Sequence, residues 1–363
     1  AYFRLVRNFG GVMIYTSAED DGTNHGEDIN SEKPRAERNE LYNQIVADLT
    51  YAEANLPATV ALAEQGRATS GAAKGLLAKT YLYQENWAAA KNKCEEVIGS
   101  QNYSLVPNYA DVFSSGQQWG SEVIWSINMV EDLDGHWGEH EGSWLSIWFG
   151  DRDMGWGYGF KCPTEDFVQA FEPTDTRLEA SVVFDGEMIP GTFGGAPHDF
   201  TGGSWNPPTG YMSQKYLIPD NERPITADCN GNLDYIFMRY ADLLLIHAEA
   251  SMEIGDEDAA KSSLALIRQR AGLSAYPDAA TISSYKETYL LNHEELRAVV
   301  YHERRVELGL EHDRFYDLVR WGDANTVFQN FDHLGLTFGK TNFVQGCSEL
   351  LPIPYYDLSL IHI

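Results

Sequence analysis

The chain has 363 residues, 43% of them hydrophobic, which allows one large domain or two ordinary ones around a sizeable core. A formal net charge of -28 argues against nucleic acid and anionic lipid surfaces as partners, since Lys and Arg are needed to displace counterions from phosphates, and it leaves a neutral ligand open. Cys94, Cys162, Cys229 and Cys347 lie far apart with no C-x-x-C pair, which indicates neither a zinc ribbon nor a disulfide-dense scaffold and leaves the redox compartment undecided; no apolar run reaches the length of a membrane span, and no signal peptide opens the chain.

The opening AYFRLVRNFGG places Phe3, Val6 and Arg7 at helical spacing with no capping residue ahead of them, and reads as the tail of a helix that Gly10-Gly11 ends. Val12 to Tyr15 is short, apolar and expected to be extended. The polar loop Glu19 to Asn30 carries Asp20, Asp21, Asn24, Glu27 and Asp28, but its spacing fails the calcium-loop pattern, and it reads as solvated chain without a metal. From Arg38 to Leu56, the residues Leu41, Ile45, Leu49, Ala52 and Leu56 mark an amphipathic helix that Pro57 closes. GRATSGAAKG then has a superficial P-loop look, with Gly66 and Gly71 in place, but Ala72-Ala73 stands where Lys-Ser/Thr belongs. Thr69 or Ser70 as a helix N-cap explains the run better.

The helix Gly71 to Gln84 turns at Glu85-Asn86 into a second, Trp87 to Ile98. Aligning Ala90-Lys91 with Ala260-Lys261 puts Ala78 on Ala248, Leu82 on Met252 and Asn86 on Asp256, so one helical hairpin recurs much later in the chain. Small alanines at matching positions let helices pack closely, and Trp87 reads as a packing residue in a tetratricopeptide-like pair. The fold class that follows is mainly α, with helical-hairpin scaffold segments at 38–113 and 235–323 of a single domain over 1–363.

Between the hairpins, residues 119–234 form an irregular insert of loops and short strands. Val123, Trp125, Ile127 and Met129 alternate with Ile124, Ser126 and Asn128, a strand pattern expected to put Trp125 in the core. Beyond it only Glu165 to Phe171 reads as helical. Seven of the nine tryptophans fall in this insert, and Trp137, Trp144, Trp148, Trp156 and Trp205, with Tyr158, sit among Gly and polar residues that cannot form an apolar core. These six are the candidate ligand-binding residues, at a surface or lining a groove. A flat ring suits the apolar face of a pyranose, and neighbouring polar side chains suit its hydroxyls. The competing motif is His136-Trp137-Gly138-Glu139-His140, which matches the H-x-x-E-H pattern of one zinc peptidase class. Its ligands need a helix to share a face, and Gly135, Gly138 and Gly142 each oppose one by about 1 kcal/mol. A zinc hydrolase on His136, Glu139 and His140 is kept as the alternative, with no metal and no cofactor expected.

From Glu294 to Gly322, Leu296, Val299, Val306 and Leu310 recur along one apolar stripe. Arg304 meets Glu307 at i,i+3 and Glu303 meets Glu307 at i,i+4, which reads as a self-paired charged network. Two carboxylates on one helix face can mean general acid and base, but an arginine neighbour would hold each ionised, so structural pairing is the better reading. After a break at Glu311-His312-Asp313, a second short helix presents Phe315, Leu318, Val319 and Trp321 to the core, and Gly322 suits its end. The final stretch, Asn330 to Ile363, reads as mostly irregular.

Glu303-Arg304-Arg305, Glu307-Leu308, Glu311-His312, Arg314-Phe315-Tyr316-Asp317-Leu318 and Arg320-Trp321-Gly322 together resemble the C-terminal signature of the SusD/RagB family of Bacteroidetes outer-membrane lipoproteins. The resemblance continues in Arg239-Tyr240-Ala241-Asp242-Leu243-Leu244-Leu245 with Ala248-Glu249-Ala250, in Gly66-Arg67-Ala68-Thr69 with Ala72-Ala73, and in Leu351-Pro352-Ile353-Pro354. It implies non-catalytic capture of an oligosaccharide or polysaccharide at the cell surface and delivery to a SusC-like TonB-dependent transporter, over which the protein would act as a lid. Peptide capture is the alternative within the family. The resemblance also implies an export signal, a lipidated cysteine and further helices upstream, so the sequence reads as truncated at its N-terminus and membrane attachment as a lipid anchor ahead of it.

Overall fold

The computed structural model of the protein describes residues 1–16, 34–130, 142–150, 152, 157–188, 207–218, 231–289, 293–329 and 342–352; the acidic loop Glu19 to Asn30 lies outside them. Helix α1 (Tyr2–Phe9) ends at Gly10. Helix α2 (Arg38–Asn55) starts on a reciprocal capping box between Glu37 and Glu40 and buries Leu41, Tyr42 and Ile45 against Phe3 and Val6 of α1. Helix α3 (Ser70–Tyr83) is capped by Thr69, whose Oγ1 accepts from the Ala72 amide at 3.2 Å, so capping accounts for the glycine-rich run. Helix α4 is Trp87–Gly99.

Strand β1 (Val123–Ile127) opens the insert, and its faces are the reverse of those expected. Ile124 and Ser126 are buried, while Trp125 is half-buried with its ring edge-on to Phe237 at 4.9 Å. Ile124 and Met238 fill the space that a side chain at Gly75 of α3 would take, which fixes the inward face by the gap available rather than by residue size. Among its described residues the insert holds two short helices, α5 (Leu145–Phe149) and α6 (Glu165–Val168), and two-residue strands β2 (Val182–Val183) and β3 (Met212–Ser213), which pair antiparallel. Strand β4 (Tyr235–Arg239) pairs antiparallel with β1, Val123 opposite Arg239 and Ile127 opposite Tyr235. The insert therefore leaves and rejoins the helices at one place.

Helices α7 (Tyr240–Glu253) and α8 (Glu257–Arg270) repeat the α3–α4 hairpin. The two N-cap residues adopt nearly the same backbone, φ/ψ -85/69 at Asn86 and -88/71 at Asp256, and each side chain accepts from the amide three residues on. Ala78, Ala90, Ala248 and Ala260 are all fully buried, as close helix packing requires. The chain is mainly helical and tetratricopeptide-like, with α7 at its centre: Tyr240 through Ser251 are buried on every side. After α9 (Ala279–Tyr289) come α10 (Glu295–Leu308), α11 (Arg314–Trp321) and α12 (Ala324–Gln329), with Gly322 at φ 78 ending α11 as expected.

Val299 and Val306 are buried, but Leu310 lies beyond the end of α10, at φ 67. Glu303, Arg304 and Glu307 take their partners from other elements rather than from one another. Glu303 sits between Arg177 and Arg268, Glu307 among Arg177, Arg239 and Arg270, and Arg304 between Asp242 and Asp317. Neighbours on one helix pair when that face meets water; this helix is covered all round, so each charge is taken by an element packed against it. Burial pushes the Glu307 carboxyl up, but Arg270, Arg239 and Arg177 outweigh it and hold the group well below the usual carboxylate range. For Glu303 burial wins and the carboxyl is raised despite Arg177 and Arg268. Glu307→Ala leaves three guanidinium groups short of one countercharge, and should destabilise the fold by about 3–5 kcal/mol in urea unfolding; a loss below about 1 kcal/mol would show the network to be dispensable.

Candidate functional site

Of the six aromatic candidates, Trp137, Trp156 and Trp205 lie outside the described residues, as do His136, Glu139 and His140. Trp144, Trp148 and Tyr158 are described, and α5 positions them. Leu145 and Phe149 join an apolar cluster with Tyr109, Phe113 and Tyr216, and Ile147 is fully buried. With that side committed inward, Trp148 is left 45% exposed. Trp144 is half-buried at the N-cap position one turn earlier, its carbonyl accepting from the Trp148 amide at 3.0 Å.

A five-residue helix leaves its last carbonyls unsatisfied. Residues 157–160 run back along α5 and take them up: the Tyr158 amide donates to the Ile147 carbonyl at 2.8 Å, Phe160 to Trp148 at 2.7 Å, and Gly159 to Gly150 at 2.8 Å. Arg152 Nε donates to the Tyr158 carbonyl at 3.0 Å. Gly159 between them holds φ 68, and across that turn Tyr158 and Phe160 stack, with ring centroids 6.1 Å apart and planes within 20°. They are 38% and 54% exposed. Trp148, Tyr158 and Phe160 thus stand on one main-chain-braced ledge. Phe160 is absent from the sequence-based candidates, since a lone phenylalanine next to Gly159 carries no periodicity that would mark it.

The ledge is anchored at Lys161, where φ is 57 and the chain turns inward. Lys161 Nζ lies 4.7 Å over the Phe149 ring and donates to the Leu310 carbonyl at 3.2 Å and to His312 Nδ1 at 2.5 Å. Lys215 Nζ donates to the carbonyls of Glu307 at 3.2 Å and Gly309 at 2.6 Å and pairs with Glu311 at 2.8 Å. Any side chain at Gly309 would strike the Phe167 ring, at 2.3 Å from a Cβ. Two lysines from the insert therefore cap the C-terminal end of α10, where carbonyls accumulate negative potential.

A family model described as "SusD family" matches residues 121–359, and one described as "Starch-binding associating with outer membrane" matches residues 1–82. SusD-like protein P25 of Formosa agariphila is 30% identical over 348 residues, covering 90% of this chain and 63% of that protein. A SusD-like protein of Bacteroides ovatus is 25% identical over 357 residues, 88% of this chain and 57% of its own. The chain thus spans less than two thirds of the length of both curated relatives. Among solved structures, a laminarin binding SusD-like protein shares 27% identity at a TM-score of 0.78, over 99% of this chain and 74% of that one. A SusD-like carbohydrate binding protein from Bacteroides fragilis has the same TM-score at 20% identity, over 99% of this chain and 76% of its own, which speaks to the fold alone.

Burial pushes the Lys161 ammonium down to about 7, with Lys215 adding to the shift and Glu311 opposing it. Burial, aided by Lys161, takes His312 down to about 4, so above neutrality the imidazole is uncharged and free to accept. Between pH about 7 and the ordinary lysine value of about 10.4, the unfolded chain holds a proton at Lys161 that the folded chain does not. Stability therefore rises with pH across that window. Lys161→Met abolishes the effect, so wild type should gain on the variant, by no more than about 1.4 kcal/mol per pH unit, when urea midpoints are compared over this range. A difference independent of pH would refute the assignment.

Proposed function

The chain belongs to the SusD family, and from that premise we propose that it captures a neutral oligosaccharide at the outer-membrane surface without cleaving it, then passes the sugar to a SusC-type TonB-dependent transporter. The observation that carries the reading is the ledge of Trp148, Tyr158 and Phe160, three rings held outward by hydrogen bonds of their own main chain. Such a surface offers stacking faces suited to the apolar side of a pyranose. In this proposal residues 119–234 are the recognising part of one domain and 38–113 with 235–323 its scaffold. Trp144 stands beside the ledge, and Trp137, Trp156 and Trp205 remain candidates from sequence.

The name of the laminarin binding relative, which aligns over 99% of this chain, supports a glucan as the first ligand to test, and the starch-binding description of the N-terminal match supports starch as the second. A net charge of -28 disfavours acidic polysaccharides. Capture rather than hydrolysis is supported by the fate of Glu303 and Glu307, the carboxylate pair on one helix face: both are sealed from solvent and bound by arginines.

Affinity electrophoresis against laminarin, amylopectin, xylan and mannan should show retardation by at least one of them. Trp148→Ala combined with Phe160→Ala should raise the Kd about tenfold, as the loss of two stacks of about 0.5–1.5 kcal/mol each requires. Binding confined to peptides in calorimetry, or unchanged polysaccharide binding in the double variant, would overturn the proposal.

A further inference from the structure

Apart from the ledge, the loop after α2, the loop after α4 and strand β1 with the turn before it surround a hollow of about 210 Å³. Trp119 stands in its lining. Its φ is 55, a left-handed conformation that costs a bulky residue about 1–2 kcal/mol, and its ring is 42% exposed. Packing does not account for that strain, because Trp119 belongs to none of the apolar clusters among the described residues.

What holds the ring is its polar edge. Trp119 Nε1 donates to Asn128 Oδ1 at 2.8 Å, Ser126 Oγ donates to the same oxygen at 3.2 Å, and Asn128 Nδ2 donates to the Gly66 carbonyl at 3.0 Å. With its one donor engaged, the indole is immobilised while a face stays open to solvent. That is the arrangement a stacking platform needs, since no rotamer freedom is lost when a ligand arrives. Across the hollow, the Tyr103 hydroxyl is fixed by Thr69 Oγ1 at 2.9 Å, and the exposed side chains of Gln65 and Asn102 offer both donors and acceptors. Arg67 is matched by Glu64 at 3.3 Å, so no net local charge selects an ion. The volume is below the roughly 300–1,000 Å³ of pockets that enclose a whole drug-sized ligand, which suits one residue of a longer chain.

We infer that this hollow is a second carbohydrate subsite, taking a pyranose unit of a neutral glycan stacked on Trp119 and hydrogen-bonded by Gln65 and Asn102. The inference rests on the glycan-capture reading and adds a second grip point to it. Two weak sites on one rigid body bind a polysaccharide far more tightly than either alone.

The same affinity gels test it, run with laminarin, amylopectin, xylan and mannan on wild type, Trp119→Ala and Asn102→Ala. Trp119→Ala should raise the apparent Kd for the retarding polysaccharide about tenfold or more through lost avidity. Asn102→Ala, an exposed position whose change leaves the fold intact in a thermal melt, should weaken it in the same direction. Wild type retarded by none of the four would sink the glycan reading and this subsite with it. Wild type retarded while both variants run unchanged would overturn the second subsite alone.

Discussion

The structure depends on a desolvated charge network centred on α10. Glu303 and Glu307 have no exposed surface, and between them they engage Arg177 from the insert, Arg239 from the end of β4, and Arg268 and Arg270 from the end of α8. Next to Glu303 in sequence, Arg304 joins Asp242 of α7, which is shared with Lys79 of α3, and Lys79 in turn meets Asp313, the partner of Arg7 in α1. Buried pairs of this kind add little net stability over an apolar core, because desolvation offsets most of the attraction. Their effect is on uniqueness: a misplaced segment leaves a bare charge in a dry interior, so each of these distant pieces of chain has one acceptable position.

That constraint reaches the candidate site through the end of α10. The Glu307 carbonyl accepts from the Tyr109 hydroxyl at 2.6 Å and from Arg239 at 2.8 Å, while Lys215 and Lys161 take the carbonyls of Gly309 and Leu310. The turn so fixed carries His312, which receives Lys161 and thereby the ledge. An insert of short strands and loops has little secondary structure of its own to hold rings in place. Here its order is borrowed from the helix it caps.

The helical part of the fold is legible in sequence because its signals are local. Asn86 and Asp256 cap, Glu85 turns, alanines close the hairpins and Gly322 stops α11, each acting within a turn of where it stands. The α10 network is not legible in the same way. Local spacing pairs Arg304 with Glu307, whereas the observed partners lie across the chain and only burial of the whole helix decides among them. Trp125 fails for a related reason: alternation identifies the strand but not its inward face, which the gap over Gly75 selects. Strands β2 and β3 are two residues each and, among the described residues, pair with one another across the insert, too short for any periodicity. At the candidate site, aromatic density marks Trp148 and Tyr158, and Phe160 escapes because a lone phenylalanine resembles core.

Of the described non-glycine residues with positive φ, Glu85 and Gln101 follow the scaffold helices α3 and α4, whereas Trp119, Lys161, Tyr216, Leu310 and His312 lie in the insert or in the α10–α11 turn that anchors it. Such conformations persist only where surrounding contacts over-determine them. Hydrogen bonds to Asn128 do so for Trp119, and the lysine caps do so for the turn. Rings that are held rigid before any ligand arrives forfeit less entropy on binding, and for a neutral, strongly hydrated ligand, where each stack contributes little, that saving decides whether binding is measurable at all.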